Sequence, residues 1–288
     1  MGDLKVSLER RGEFSRWVVH GELKRKRFDL EGPAAESGIR ALLERTRLES
    51  VDFSGLVFDH FYAAGASFIG CDFSDTRFAQ LGFGQPQIQR SWGWAIRPGD
   101  PRYAQTVYEA CLFRKTRFDP DNTHFGNARF VRCVFDQSWL RNLIFTHTAE
   151  FLECRFVGKV IECNFWGDIE IPDEPKRVGR TTNEFRGNDF READLIWVGF
   201  HHIDLDAQQW PESGEYAIVA DPQRRIEAGI DQAQATLSAE DMNHILPELN
   251  LLARLYNDER QVLVRRSELA RRTPPHIQQK LWEFLTSG

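Results

Sequence analysis

The chain has 288 residues, 37 Lys+Arg against 43 Asp+Glu and a formal charge of −6, which disfavours direct nucleic-acid binding, since such binders cluster Lys and Arg. No apolar run approaches the roughly 20 residues of a membrane span, and the start MGDLKVSLERR has no apolar stretch of signal-peptide type, so a cytoplasmic protein is expected. Twenty-two Phe stand against 5 Tyr and 2 Met, as if one core position were filled repeatedly by the same side chain; that is the mark of a repeat fold.

In chain order, residues 1–45 read as an N-terminal cap. KVSLE and RWVVH flank RRGEFS as a short hairpin, and Ala34 to Arg45 reads as an amphipathic turn or two leading into the next segment. From Thr46 the sequence divides into TRLES, VDFSG, LVFDH, FYAAG, ASFIG, CDFSD, TRFAQ and LGFGQ. A period of five matches neither the 3.6 of a helix nor the 2.0 of a strand, so each block is one short extended edge plus a turn. The pattern returns at 111–120, 128–147, 154–158, 163–167 and 183–207, with Phe113, Phe130, Phe135, Phe156, Phe190 and Phe200 at block centres, like Phe53, Phe58, Phe73 and Phe78 before them. Phe145, centred in LIFTH, is expected inside as well.

These blocks resemble the pentapeptide-repeat family, whose pattern is a small residue, Asp or Asn, Leu or Phe, and two variable positions. The resemblance covers about 46–207, within a repeat domain of 46–210, and implies a mainly β fold. Its form would be a right-handed quadrilateral β-helix of four blocks per coil, with the central residue and the small residue two before it facing inward. Cys71, Cys111, Cys133, Cys154 and Cys163 all lie two residues before a central Phe, the place of a small apolar side chain. Spread over separate coils, they are not expected to converge on one metal ion.

Two insertions interrupt the repeats. In the first, about 86–110, SWGWAIRPGD would project as a loop carrying Trp92, Trp94 and Arg97, types enriched at binding hot spots, unless the tryptophans fold back onto the wall. The second, DIEIPDEPKRVGRTT at 168–182, reads as a surface loop offering Lys176, Arg177 and Arg180. The sequence alone does not assign both to one corner. Stacked repeats expose apolar ends that need caps. The C-terminal region, 211–288, is expected to be α-helical, with helices at Pro222 to Leu237, Ala239 to Tyr256 and His276 to Leu285, and with Asp221 and Ser238 as N-caps. QVLVRRSEL (261–269) reads as a strand followed by a helix start, or as more helix.

HExxH, Cys-x-x-Cys, Walker A and G-x-S-x-G motifs are all absent, so neither catalysis nor a metal or other cofactor is expected. The leading expectation is a non-enzymatic interaction scaffold whose loops and outer faces bind an unknown protein partner. A second reading comes from the resemblance, whose characterised members include quinolone-resistance proteins that bind DNA gyrase as DNA mimics; topoisomerase IV would be the related target. The charge opposes it, because 111–167 is basic, about +2, between more acidic ends. A third reading makes the repeats a spacer presenting C-terminal helices, with Arg254, Arg260, Arg265, Arg266, Arg271 and Arg272, to a nucleic acid or a protein. Asp258, Glu259 and Glu268 among them suggest an ordinary charged face instead. Leu249, Leu251, Leu252, Leu255 and Tyr256 would serve a homodimer or an intramolecular cap.

Overall fold

A computed structural model describes residues 5–11, 14–20, 22–24, 39–84, 103–143, 145–271 and 273–286, with side chains from residue 39 onward. Strands dominate up to His201, nearly all paired in parallel, and helices follow from Pro222. After twenty residues, four blocks, the chain lies beside itself again: Arg47 pairs with Ser67 and Val57 with Arg77. Later circuits absorb extra residues without losing the register. Val107 pairs with Arg129 because the turn Pro120–Asn122 takes up two more residues, and Phe151 meets Phe185 across the second insertion.

This register lines up the block centres. Rings stack along one column from Phe53 to Phe73, Phe113, Phe135, Phe156, Phe190 and Trp210, with centroids 4.7, 4.9, 4.9, 5.1, 4.5 and 5.2 Å apart. A second column runs Phe68, Tyr108, Phe130, Phe151 at 4.6, 4.9 and 5.0 Å. These spacings are the pitch of hydrogen-bonded strands, so each ring meets the next at van der Waals contact. Phe53, Phe58, Phe73, Phe78, Phe113, Phe130, Phe135, Phe156, Phe190 and Phe200 are all at most 5% exposed. The one hydroxyl in the second column, on Tyr108, donates to the Phe83 carbonyl at 3.0 Å, which satisfies a polar group buried among rings.

Small residues two positions before the centres also face inward. Thr76 and Thr116 donate their hydroxyls to the carbonyls of Phe53 and Phe73 at 2.9 and 2.8 Å, and Ser138 donates to Phe113. Cys71, Cys111, Cys133 and Cys154 occupy consecutive circuits in a neighbouring column, all buried, each thiol donating to a backbone carbonyl of the preceding circuit. Block ends turn the corner in the left-handed region, as at Gly70 (φ 58°) and Lys115 (φ 52°). Glycine reaches that region freely and other residues at a cost of about 1 kcal/mol.

At the N-terminal side Lys5–Arg11 and Phe14–His20 form an antiparallel hairpin. Ile39–Glu44, within the stretch read from sequence as an amphipathic turn or two, is a strand, parallel to both Phe14–His20 and Val57–Ala64. Its pattern of buried Ile39, Ala41, Leu42 and Leu43 suits a sheet better than an exposed helix face. Part of the stretch 86–110 stays in the repeat, as the central places of Tyr103 and Tyr108 in the five-residue frame imply. Thr106–Glu109 is already paired with Ser67–Ile69, because Tyr108 keeps the place of a block centre.

The second interruption contains a helix, α1 (Glu174–Val178). Three more follow: α2 (Pro222–Thr236), α3 (Ala239–Leu255) and α4 (Pro275–Thr286). Ser238 caps α3, accepting from the Asp241 N–H. Asp221 does not cap α2 with its side chain; it sits in the left-handed region, φ 46°. Gln261–Arg265 is a strand, antiparallel to Tyr216–Ala220. Ile226, Ile245, Leu249, Ile277 and Leu281 gather with these strands into a second apolar cluster.

Candidate partner-binding surface

The two interruptions meet on one wall. Trp92, Trp94 and Arg97 lie outside the described residues, but the chain returns from that insertion at Tyr103, whose carbonyl accepts from Asn127 Nδ2 at 2.7 Å. Asn127 Oδ1 in turn accepts from Arg180 Nη1 at 2.6 Å, so one buried side chain joins both segments. On the other side of Asn127, a Cβ on Gly84 would lie 2.3 Å from the Asn127 backbone. Glycine is therefore required where the first interruption departs.

Glu150 is the ionic centre of this wall. Its side chain is 4% exposed and sits 2.7 Å from Arg129 Nη1 and 3.3 Å from Arg180 Nε. It also accepts from Gln105 Nε2 at 2.8 Å and from the Glu184 N–H at 3.1 Å. Burial lowers the Arg180 pKa, with Glu150 opposing the shift. For Arg129 burial also acts downward, but the bonds to Glu150 and Glu184 carry its pKa above the ordinary value. Arg180 further donates to the Thr148 carbonyl at 2.6 Å, which makes it a clamp that fastens the second interruption to the sheet.

On α1, Arg177 pairs with Glu174 at 2.6 Å and Lys176 with Asp173 at 3.3 Å. Of the three cations singled out in this segment only Lys176 stands well clear of the surface, at 74% side-chain exposure. An open cleft of about 450 Å³ lies between Tyr103, Gln105, Arg129, Glu150, Arg177 and Arg180. A smaller one of about 180 Å³ is lined by His124, Phe145, His147 and Ile171.

Beside the smaller cleft the outer wall carries stacked rings that block-by-block reading did not single out. His124 stacks on Phe145 at 4.6 Å, His147 on Trp166 at 4.7 Å, and Trp166 on His201 at 4.1 Å. Burial lowers the pKa of both His124 and His147. Phe145, expected inside, is 41% exposed, and Thr146, at 1%, is buried beside it. The Thr146 hydroxyl donates to the Asn164 carbonyl, so the frame slips by one residue at this corner. The only advance signal was spacing: Phe145, Phe165 and Phe200 leave His147, Trp166 and His201 at nearly equivalent outward places.

The C-terminal segment docks on the last circuit through polar contacts. Glu259 accepts from the His202 N–H at 2.9 Å and faces His201 Nδ1 at 3.0 Å. Trp197 N–H donates to Glu268 at 2.8 Å, and Arg265 pairs with Asp194 at 2.9 Å. Several arginines weighed as a nucleic-acid face are occupied here. Arg265 lies over Tyr216, Arg266 over Trp282 and Arg271 over Trp197. On α3, Leu249 and Leu252 are buried, whereas Leu251 and Leu255 are exposed.

Burial works against the charge of Glu259, but the bonds from His201 and the His202 N–H outweigh it and hold the pKa below 4.5. A carboxylate with a depressed folded pKa adds stability above its unfolded value and loses it as pH falls through the folded one. The docking of the C-terminal segment should therefore weaken as pH drops below 4.5. Amide exchange in Gln261–Arg265 checks this: Glu259→Gln should flatten the pH dependence, and an unchanged profile would remove Glu259 from the account.

The polar groups around His202 do not converge on one point. His202 pairs with Glu170 at 2.9 Å, Asp204 accepts from the Asp206 N–H, and Asp206 accepts from Gln261 Nε2. Each group is thus turned to a different neighbour, and no group of three His, Cys, Asp or Glu among the described residues could hold an ion. Burial holds the Cys163 thiol up at about 12 and raises Cys111 and Cys133 well above the ordinary value, so these sulfurs are poor nucleophiles.

No family model and no curated protein matches the chain. Among solved structures, full-length QnrB1, a plasmid-mediated fluoroquinolone resistance protein, aligns at 15% identity and a TM-score of 0.25, over 67% of this chain and 90% of that one. A trypsin-treated variant of QnrB1 aligns at 14% identity and a TM-score of 0.22, over 66% and 77%. At these TM-scores the likeness carries no argument about function. No helix among the described residues is long and apolar enough to cross a membrane.

Proposed function

We propose that this chain is a non-enzymatic protein-interaction scaffold of pentapeptide-repeat type, its circuits forming a right-handed quadrilateral β-helix and its two interruptions forming one recognition surface. The observation that carries the reading is the convergence of Tyr103 and Gln105, at the end of the first interruption, and of Arg180, in the second, on Asn127 and Glu150, with Lys176 of α1 exposed nearby. A buried ion network that fastens the second insertion to the wall where the chain returns from the first holds this part of the surface in place before binding, and preorganisation is what lowers the entropic cost of binding a partner.

The test compares three forms of the protein as bait in a lysate of its own organism: the intact chain, a variant lacking 91–100, and a variant with 171–178 replaced by Gly and Ser. A partner retained by the intact chain and lost from both variants supports one shared surface. A partner retained by either variant assigns recognition elsewhere. A purified DNA gyrase supercoiling assay, with and without a fluoroquinolone, asks in the same three proteins whether the partner is a type II topoisomerase.

A further inference from the structure

The wall formed by Val57–Ala64, Arg77–Phe78, Arg117–Phe118, Leu140–Arg141 and residues 159–161 carries an outward column rich in cations. Val57 pairs with Arg77, Arg77 with Arg117, and Arg117 with Trp139. The pairing of Leu140 with Val160 sets Trp139 beside Lys159, and Lys159 pairs with Asp194. Arg77, Arg117, Trp139 and Lys159 are all exposed, and the Arg117 guanidinium lies 5.6 Å from the Trp139 ring centroid. At about 4.8 Å per strand this column is about 14 Å long from Arg77 to Lys159.

Its cations are unneutralised. Arg77, Lys115, Arg117, Arg141 and Lys159 make no ion pair among the described residues. On the adjoining walls Arg114, Arg129, Arg132, Arg155 and Arg191 each hold a carboxylate. Asp75 and Asp119 stand on the cationic wall but pair with none of the five, and Asp194 at the column's end is taken by Arg265 at 2.9 Å. Like charges on adjacent strands are destabilising, and a chain of net charge −6 has carboxylates enough to offset them. A ligand that supplies the missing negative charge would relieve this repulsion.

We infer that this column is a docking strip for an extended acidic segment of a partner protein, with Trp139 as its apolar anchor. The inference rests on the scaffold reading and gives one wall its partner chemistry. Alternate side chains of an extended peptide fall roughly 6.6–6.8 Å apart, so two or three carboxylates match the length of the strip. Trp and Arg are the types that dominate interface energetics. Single-stranded nucleic acid is disfavoured, because its binders present a series of aromatic platforms along a long basic groove, whereas this strip has one ring, ends at Asp194 and is flanked by Asp75 and Asp119.

The test uses the full chain and fluorescein-labelled hexaglutamate, followed by anisotropy at low salt, with a labelled oligothymidylate as the second probe. Arg77→Glu/Arg117→Glu should weaken hexaglutamate binding at least about tenfold, and Trp139→Ala about threefold. Lys176→Glu, on the other surface, should leave it unchanged. If the double reversal perturbs folding, judged by the urea midpoint, Arg77→Gln/Arg117→Gln replaces it with the same expected direction. Absence of hexaglutamate binding at millimolar concentration, equal affinity in the double variant, or an equal loss in Lys176→Glu would overturn the strip. Tighter binding of the oligothymidylate, lost in the same double variant, would overturn the polypeptide assignment. Failure here leaves the loop-replacement comparison untouched, so the two readings fall separately.

Discussion

Phe135→Ala lowers the unfolding free energy by about 3–5 kcal/mol, the cost of emptying a large buried ring site. Phe135 is 1% exposed and lies 4.9 Å from Phe113 and 5.1 Å from Phe156 in the continuous column. Neighbours in a close-packed stack cannot collapse into the gap without breaking the strand register that spaces them, so the cavity term stays near its full value. Urea denaturation followed by far-UV circular dichroism measures the loss. A change under about 1 kcal/mol would mean that the stack relaxes as a fluid core would. Phe145→Ala is the internal contrast, since that ring is 41% exposed and its loss removes little buried area.

Glu150→Ala costs a similar amount by a different route. Removing one partner of a buried ion pair is destabilising by about 3–5 kcal/mol, because the remaining charge loses its compensation without regaining water. Arg180 and Arg129 both point at Glu150, with side-chain exposures of only 19% and 26%. The second interruption should be released first: limited trypsin digestion should cut after Arg177 or Arg180 in the variant well before it cuts the intact chain. Resistance equal to that of the intact chain would show that Asn127, Thr148 and Asn183 suffice to hold Arg180 in place.

The five-residue period made the inward column legible, because a block centre that must be large and apolar leaves its mark in the sequence. Cysteine and threonine two residues earlier were legible for the same reason. Ser238 announced itself as a cap because capping is local, whereas Asp221 looked equally suitable and fails because its backbone turns left-handed. The meeting of the interruptions was not legible. Arg180 reaches Asn127 across 53 positions, and nothing near either residue encodes the other. The slip at Phe145 escaped for a subtler reason: a block with a plausible centre gives no sign that the neighbouring threonine will take the inside place.

The cationic column depended on both kinds of information. Each of its members occupies an unremarked variable position, separated from the next by 20, 40, 22, 20 or 35 residues, and only the strand pairings bring Val57, Arg77, Arg117, Trp139, Lys159 and Asp194 into line. The basic tendency of 111–167 was visible in the composition, but not its restriction to one wall.

The ring column from Phe53 to Trp210 also gives the molecule a scale of length. Every circuit advances the chain by one strand spacing, about 4.8 Å, whatever the outward side chains are. Lengthening a loop changes what a wall displays without altering that advance, as the interruption before Phe185 shows. Strand spacing and surface are thus set by separate residues: the stacked rings keep one ruler from Phe53 to Trp210, and the outward positions are free to vary along it.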